Sequence, residues 1–204
     1  MAARDAQKIG GIVLAAGGSS RLGRPKQFLQ FKSKSLLRHA AQTMAASICD
    51  PIVVVLGAES DEAAAQIKDL PVATCLNENW RLGMSSSIKV GLAKLIEMAP
   101  EIDAVLISLC DQPFITSEIL NRFSEKFAVT DVSIVAAKYN EVNGVPALFS
   151  RELFIELSRL EGDKGARDLI RSLTDLATIN LPEAAFDIDS PQDFEYLSHL
   201  LLDR

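Results

Sequence analysis

The sequence predicts an α/β protein with a mostly parallel central sheet covered on both faces. Three observations support this. Short β-branched runs alternate with segments of helical length. The strand-like runs, such as Ile52–Leu56 (IVVVL) and Ala104–Leu109 (AVLISL), are continuously apolar, as strands buried on two faces are. The chain has 204 residues, 48% of them hydrophobic, enough for one full core. No linker, repeat or low-complexity stretch divides it, so one domain over 1–204 is expected.

The elements follow in order. Residues 11–15 (GIVLA) read as a first strand running into a Gly/Ser-rich turn. Residues 36–47 carry apolar side chains at helical spacing behind Ser35, a plausible cap. Pro51 and Gly57 bracket the strand Ile52–Leu56. The Ala-rich stretch 60–68 favours helix, because alanine loses no side-chain freedom there. A third strand over 72–76 precedes a helix over 85–98, whose start is marked by three serines. Ala104–Leu109 is the fourth strand, 116–127 a helix after Pro113, and 132–137 the fifth strand. Residues 147–149, 177–180 and the region of Phe186 read as short strands. Pro191–Leu202 is a closing helix whose proline suits the first turn.

The charge is uneven. The whole chain carries 21 basic and 27 acidic groups, a net of −6. Residues 1–38 hold eight of the basic groups and a single acid, Asp5, leaving 13 basic against 26 acidic groups in the rest. An acidic body argues against a protein that coats nucleic acid. A basic start on it suggests either a local anion site or a solubilising arm. Cys49, Cys75 and Cys110 form no CxxC pair. The odd count speaks against a disulfide framework or zinc site, and their apolar surroundings suggest reduced core thiols. No apolar run is long enough for a signal peptide or a membrane span, so the cytoplasm is the expected compartment.

The turn after the first strand, residues 14–29 (LAAGGSSRLGRPKQFL), is the most informative segment. Gly17 and Gly18 let backbone approach a ligand. Successive N–H groups in such a turn form an anion-binding concavity. Arg21, Arg24 and Lys26 add charge, arginine by a bidentate fork and lysine as a point charge. The position suits a ligand, since open α/β sheets bind at the carboxyl ends of strands. Two common phosphate motifs fail: GxGxxG is absent, and the Walker pattern starting at Gly18 meets Arg24 and Pro25 where Lys and Ser/Thr belong. A basic surface turn is the alternative reading.

This segment closely resembles the signature LAAGxSxRMGxxKxLL of nucleotidyltransferases with a Rossmann-like, three-layer α/β/α fold of the GT-A type. The resemblance implies that Leu14, Ala15, Ala16, Gly17, Gly18, Ser19, Arg21 and Lys26 hold a nucleoside triphosphate. Four further segments are similar to the molybdenum cofactor cytidylyltransferase group of the MobA-like NTP transferases. Residues 77–92 (NENWRLGMSSSIKVGL) resemble its GMxxSI segment, implying that Gly83, Ser85, Ser86 and Ser87 face the base and ribose; a merely well-capped helix is the plainer reading. Residues 108–116 (SLCDQPFIT) resemble its LxxDQP motif. An acid at a strand's carboxyl end near a triphosphate is well placed for Mg²⁺, which takes one or two carboxylates plus phosphates and waters; Asp111 as a turn residue before Pro113 is the alternative.

Residues 139–154 contain Gly144, Pro146, Leu148 and Phe149 of a GxPxLF element, and 161–170 match GDKGAR. The resemblance places both on the acceptor side, with Lys164 and Arg167 on the acceptor's phosphate. Residues 185–197 (AFDIDSPQDFEYL) resemble the ending DIDTPEDY, with Ser190 in place of threonine. Asp189 matches the second metal carboxylate, and Asp187 is near enough to share that role. Pro25-Lys26-Gln27 is also similar to the cytidylyltransferase of isoprenoid synthesis, which lacks the Asp-Gln-Pro and GDKGAR elements.

The resemblance implies a reaction: CMP passes from CTP to molybdenum-molybdopterin, expelling pyrophosphate, with Mg²⁺ on Asp111 and Asp189 and with Arg21 and Lys26 stabilising the leaving group. The Leu14-Ala15-Ala16-Gly17 start favours cytidine over guanine. A molybdenum hydroxylase or its chaperone is the implied partner, with no nucleic acid and no membrane. Transfer to a sugar or polyol phosphate, and a non-catalytic cofactor carrier, remain alternatives. With only His39 and His199, both in helical segments, no histidine base is expected.

Overall fold

The computed structural model describes residues 7–18, 25–163, 165–188 and 190–202. A seven-stranded sheet forms its centre, in the order β5-β4-β1-β6-β8-β7-β9. The strands are β1 (Ile9–Ala15), β4 (Ile52–Leu56), β5 (Ala73–Leu76), β6 (Ala104–Leu109), β7 (Ile134–Tyr139), β8 (Val142–Ser150) and β9 (Leu176–Asn180). A two-residue ribbon, β2 (Gln30–Phe31) with β3 (Lys34–Ser35), stands apart from it. The pairs β5–β4, β4–β1, β1–β6 and β7–β9 are parallel. Only β8 runs against its neighbours, β6 and β7.

Two apolar layers cover the sheet, as its continuously apolar strands require. Val13 and Ala15 of β1 join Leu37, Ala41 and Met44 of α1 (Leu36–Ala45), Ala63 and Ile67 of α2 (Ser60–Ile67), and Leu120, Phe123 and Phe127 of α4 (Ser117–Val129). Ile12 and Leu14 point the other way. They pack with Ile88, Leu92 and Leu95 of α3 (Met84–Met98), Phe154 and Leu157 of α5 (Phe154–Ser158), and Ile170 of α6 (Arg167–Ser172). Each buried Val, Leu, Ile, Met or Phe among them contributes about 1.5–3 kcal/mol relative to exposure. A third, smaller cluster seats α7 (Pro191–Leu202) through Leu197 on Leu29, Phe31, Leu36 and Ile188.

The helix starts follow capping chemistry. Ser35 Oγ accepts from the Arg38 N–H at 3.2 Å, and Thr116 Oγ1 from the Ile119 N–H at 3.3 Å. Three expectations are corrected. The short strand expected over 147–149 is the end of a nine-residue strand, β8. Its register against β7 shifts between Ala136 and Ala137, leaving Val145 and Pro146 in a bulge where proline's missing donor does no harm. The Phe186 region is not a strand: a 3₁₀ turn over Pro182–Ala185 precedes it, and the Phe186 ring packs on Phe114 and Tyr196 at 5.2 and 5.7 Å. Cys75 lies on the edge strand and is only half-buried, while Cys49 and Cys110 are buried. No helix among the described residues is long and apolar enough to cross a membrane.

Candidate active site

The parallel neighbours β1 and β6 end level with one another, Leu14 opposite Leu109. The Cys110 N–H then donates to the Leu14 carbonyl at 3.1 Å. From that point one chain leaves as Ala16-Gly17-Gly18 and the other as Asp111-Gln112-Pro113, and a crevice opens between diverging loops at the carboxyl edge of the sheet. Strand alternation sends Cys110 into the core beside α1 and α4, as expected. Burial and the neighbouring Asp111 push its thiol up to about 12.

Asp111 is 6% exposed and faces the crevice. Its Oδ2 forms an ion pair with Lys26 Nζ, from the short 3₁₀ turn Lys26–Phe28. Beside Lys26, Gln27 is buried and donates to the Ala58 carbonyl at 3.0 Å, fastening this turn to the loop after β4. The other oxygen, Asp111 Oδ1, is buried without a hydrogen-bond partner. Such an atom costs about 1–3 kcal/mol. An uncompensated hard oxygen at the end of a strand is the donor a divalent cation seeks. Among the described residues no three His, Cys, Asp or Glu side chains form a ready-made metal cage; magnesium needs only one or two carboxylates when phosphates and waters supply the rest. The Ile188 N–H donates to the Asp111 carbonyl at 3.2 Å, which brings the segment of Asp187 to this spot. The donor set therefore fits a divalent ion. Asp189, the expected second ligand, lies outside the described residues, as do Ser19, Arg21, Arg24 and Lys164.

Two clefts meet here. One, of about 360 Å³, is lined by Leu14, Ala15, Ala16 and Gly17 from the turn after β1 and by Trp80, Arg81, Gly83 and Ser87 from the start of α3 and the loop before it. The second, of about 320 Å³, is lined by Tyr139, Gly144, Val145, Arg167 and Asp187. Lys26, Met84, Leu109, Asp111 and Asp163 line both. Gly83 is held at φ 101°, and any Cβ there would strike Asp163 and the Gly162 backbone, so the residue must be glycine. Tyr139 rests its hydroxyl over Gly144; burial first, then Asp187, raises its pKa, with Arg167 opposing.

The two clefts take in some of the expected side chains and not others. Ser87 lines the first cleft, but Ser85 and Ser86 do not. Ser86 Oγ donates to the Gly83 carbonyl at 2.7 Å, with the Asn79 carbonyl at 3.1 Å as a second acceptor within reach, and accepts from Asn77 Nδ2 at 2.8 Å, while the Ser85 N–H donates to the Gly162 carbonyl. Ser86 thus helps build the turn, while the Ser85 Oγ is buried without a hydrogen-bond partner. Pro146 sits in the β8 bulge and its neighbour Val145 reaches the second cleft instead. His39 lies in neither cleft; its Nε2 is 3.0 Å from the Pro113 carbonyl. The sequence reading missed Gln27, Trp80, Arg81, Tyr139 and Asp163. Only Trp80-Arg81, in the loop just before Gly83, carried a signal that was available from composition.

A glycine turn at a strand's carboxyl end, a lysine–aspartate pair and a second cleft beside them, at the edge of a Rossmann-like sheet, are the layout of a nucleotidyltransferase site. The chain belongs to the family described as the MobA-like NTP transferase domain, whose model matches residues 11–177, and it is a nucleotidyltransferase. Its relatives include nicotine blue oxidoreductase of Paenarthrobacter nicotinovorans, 30% identical over 91% of this chain and 94% of that protein. Molybdenum cofactor guanylyltransferase of Syntrophotalea carbinolica is 28% identical over 84% of this chain and 77% of its own length. Among solved structures, Rv0371c of Mycobacterium tuberculosis superposes with a TM-score of 0.81 at 28% identity, covering 95% of this chain and 99% of that one. The same protein has been solved in complex with manganese (TM-score 0.75, 26% identity, 94% and 98% covered).

Proposed function

We propose that this protein is a cytoplasmic enzyme that transfers CMP from CTP to molybdenum-molybdopterin, giving the cytosine dinucleotide form of the cofactor and pyrophosphate. The observation that carries the reading is the meeting of two clefts at Lys26 and Asp111. A reaction that joins two substrates needs their reacting atoms side by side, and here one wall pair suits a triphosphate and the other a phosphorylated acceptor.

The chain's part is positioning and charge. The N–H groups of residues 15–18 cradle the triphosphate. Lys26, with Arg21, neutralises charge on the departing pyrophosphate. Arg167, with Lys164, holds the acceptor's phosphate, one oxygen of which attacks the α-phosphorus. The P–O bond to the β-phosphate breaks as the new one forms, and the electron pair leaves with pyrophosphate. Asp111, with Asp189 or Asp187, would hold Mg²⁺. The bound ion supplies charge neutralisation and alignment of the reacting oxygens. The manganese complex of the mycobacterial relative supports a divalent ion at such a site. The product would pass to a molybdenum hydroxylase or its chaperone.

The test is pyrophosphate release with each of the four NTPs and purified molybdenum cofactor. Release with CTP and the cofactor alone is the expected result. Release with GTP would transfer the reading to guanylyl transfer, as in the Syntrophotalea relative's name. Release with a sugar or polyol phosphate would replace the acceptor, and binding without release would make the protein a carrier. Redox turnover of nicotine blue with no pyrophosphate released would overturn the assignment in favour of the activity in the Paenarthrobacter relative's name.

A further inference from the structure

Trp80 and Arg81 belong to the part of the first cleft that the second does not share. A nucleotide whose α-phosphate faces the acceptor must extend the rest of itself into that part. The triphosphate has the glycine turn and Lys26 to go to. The base needs a flat partner, and the flat surfaces here are these two side chains.

Their arrangement is built. The indole of Trp80 lies directly against Gly18: a Cβ at that glycine would meet Cη2 and Cζ3 of the ring, the latter at 2.9 Å. Gly57 admits the other end of the indole, since its Cβ would lie 2.9 Å from Trp80 Cγ. Two glycines from two different loops thus make room for one ring. The Arg81 guanidinium lies over that ring, with Cζ 4.4 Å from the centroid. A cation over an indole is held by the ring's quadrupole, which steadies an otherwise flexible, exposed side chain in the lining of this cleft.

We infer that Arg81, held over the ring of Trp80, reads the edge of the nucleobase and distinguishes cytosine from uracil. The inference rests on the nucleotidyl-transfer reading of this cleft. A guanidinium fork presents donors only. It pairs with a base edge carrying two neighbouring acceptors, as N3 and O2 of cytosine do. Uracil presents an N3–H donor there and leaves one arm of the fork facing another donor. Selection of cytosine over uracil is the consequence, by a residue that touches no phosphate.

The chain has a single tryptophan, so its intrinsic fluorescence reports Trp80 alone. The experiment titrates the wild type and Arg81→Ala with CTP and UTP without acceptor, following tryptophan emission and calorimetry in parallel. The wild type is expected to change its emission saturably and to favour CTP. Losing one bidentate base contact costs about 5- to 150-fold in affinity. Arg81→Ala is expected to lose that factor for CTP while UTP binding stays nearly constant, so discrimination collapses. Arg81→Lys, a point charge without a fork, should restore charge but not preference. The inference is overturned if Arg81→Ala keeps the wild-type CTP-to-UTP ratio, if Arg81→Lys restores it fully, or if calorimetry shows CTP binding that leaves Trp80 emission unchanged. Wild type that binds no NTP by calorimetry would overturn the proposed function itself, a distinct result.

Discussion

Replacing Gln112 by alanine isolates the part of the Asp-Gln-Pro segment that performs no chemistry. Gln112 is 4% exposed. Its amide donates to the Val145 carbonyl at 3.2 Å and to the Ala184 carbonyl at 3.0 Å, tying the β8 bulge to the 3₁₀ turn that leads to Asp187. Alanine strands both carbonyls. One buried and one partly buried hydrogen bond at about 0.5–1.5 kcal/mol each, plus the desolvation of orphaned acceptors, give a loss of about 2–4 kcal/mol. The unpartnered Gln112 Oε1 is removed too, which keeps the loss to the lower half of that range. For a domain of this size each kcal/mol moves Tm by about 2–4 °C, so a drop of roughly 4–12 °C is expected in a thermal scan. Val145 and Asp187 both line the second cleft. The KM for acceptor should therefore rise several-fold more than the KM for nucleotide. A Tm within about 1 °C of wild type, or a KM effect confined to the nucleotide, would refute this account of Gln112.

Asp111→Asn keeps the shape of the side chain but removes the charge that faces Lys26; turnover should fall by about a thousandfold or more with the circular dichroism spectrum unchanged, and an active variant would remove Asp111 from the site. Lys26→Ala should slow pyrophosphate release and weaken triphosphate binding by calorimetry, and unchanged kinetics would discard it. Burial depresses His39 below its ordinary value of 6.5. The unfolded chain therefore takes up the proton first as pH falls, so stability is full above about 6.5 and declines below it; urea melts across that window should show the decline, and it should flatten in His39→Gln. Burial also pushes Cys49 and Cys75 up to about 11 and Cys110 up to about 12. Alkylation at neutral pH should be slow in the native protein, with the half-buried Cys75 first, and fast once the chain is unfolded.

What was legible in the sequence is what depends on neighbours in the chain. The runs IVVVL and AVLISL show their two-sided burial in their own letters. Asp111 could be placed because it follows such a run directly. The helices α5 and α6, five and six residues long, are too short to display a period. Strand β8 is interrupted by Gly144 and Pro146, residues that ordinarily end strands, and only its bulge against Ala136 and Ala137 accommodates them. Hydroxyl direction is not written in composition: Ser85, Ser86 and Ser87 stand together, yet only Ser87 reaches the cleft. The seat of Trp80 depends on Gly18 and Gly57, distant in sequence, so spacing could not reveal it.

The single reversed strand has a further consequence. Because β8 runs opposite to β6, its beginning, not its end, arrives at the catalytic edge. It comes there from β7 through a hairpin whose two turn residues, Asn140 and Glu141, adopt left-handed φ of 46° and 58°. The part of the second cleft lined by Tyr139, Gly144 and Val145 is thus a fingertip on an otherwise conventional hand. Lengthening or recharging that turn would reshape it while the parallel strands behind the first cleft keep their register. The wiring of the fold lets one cleft be remodelled at its rim without disturbing the sheet that carries the other.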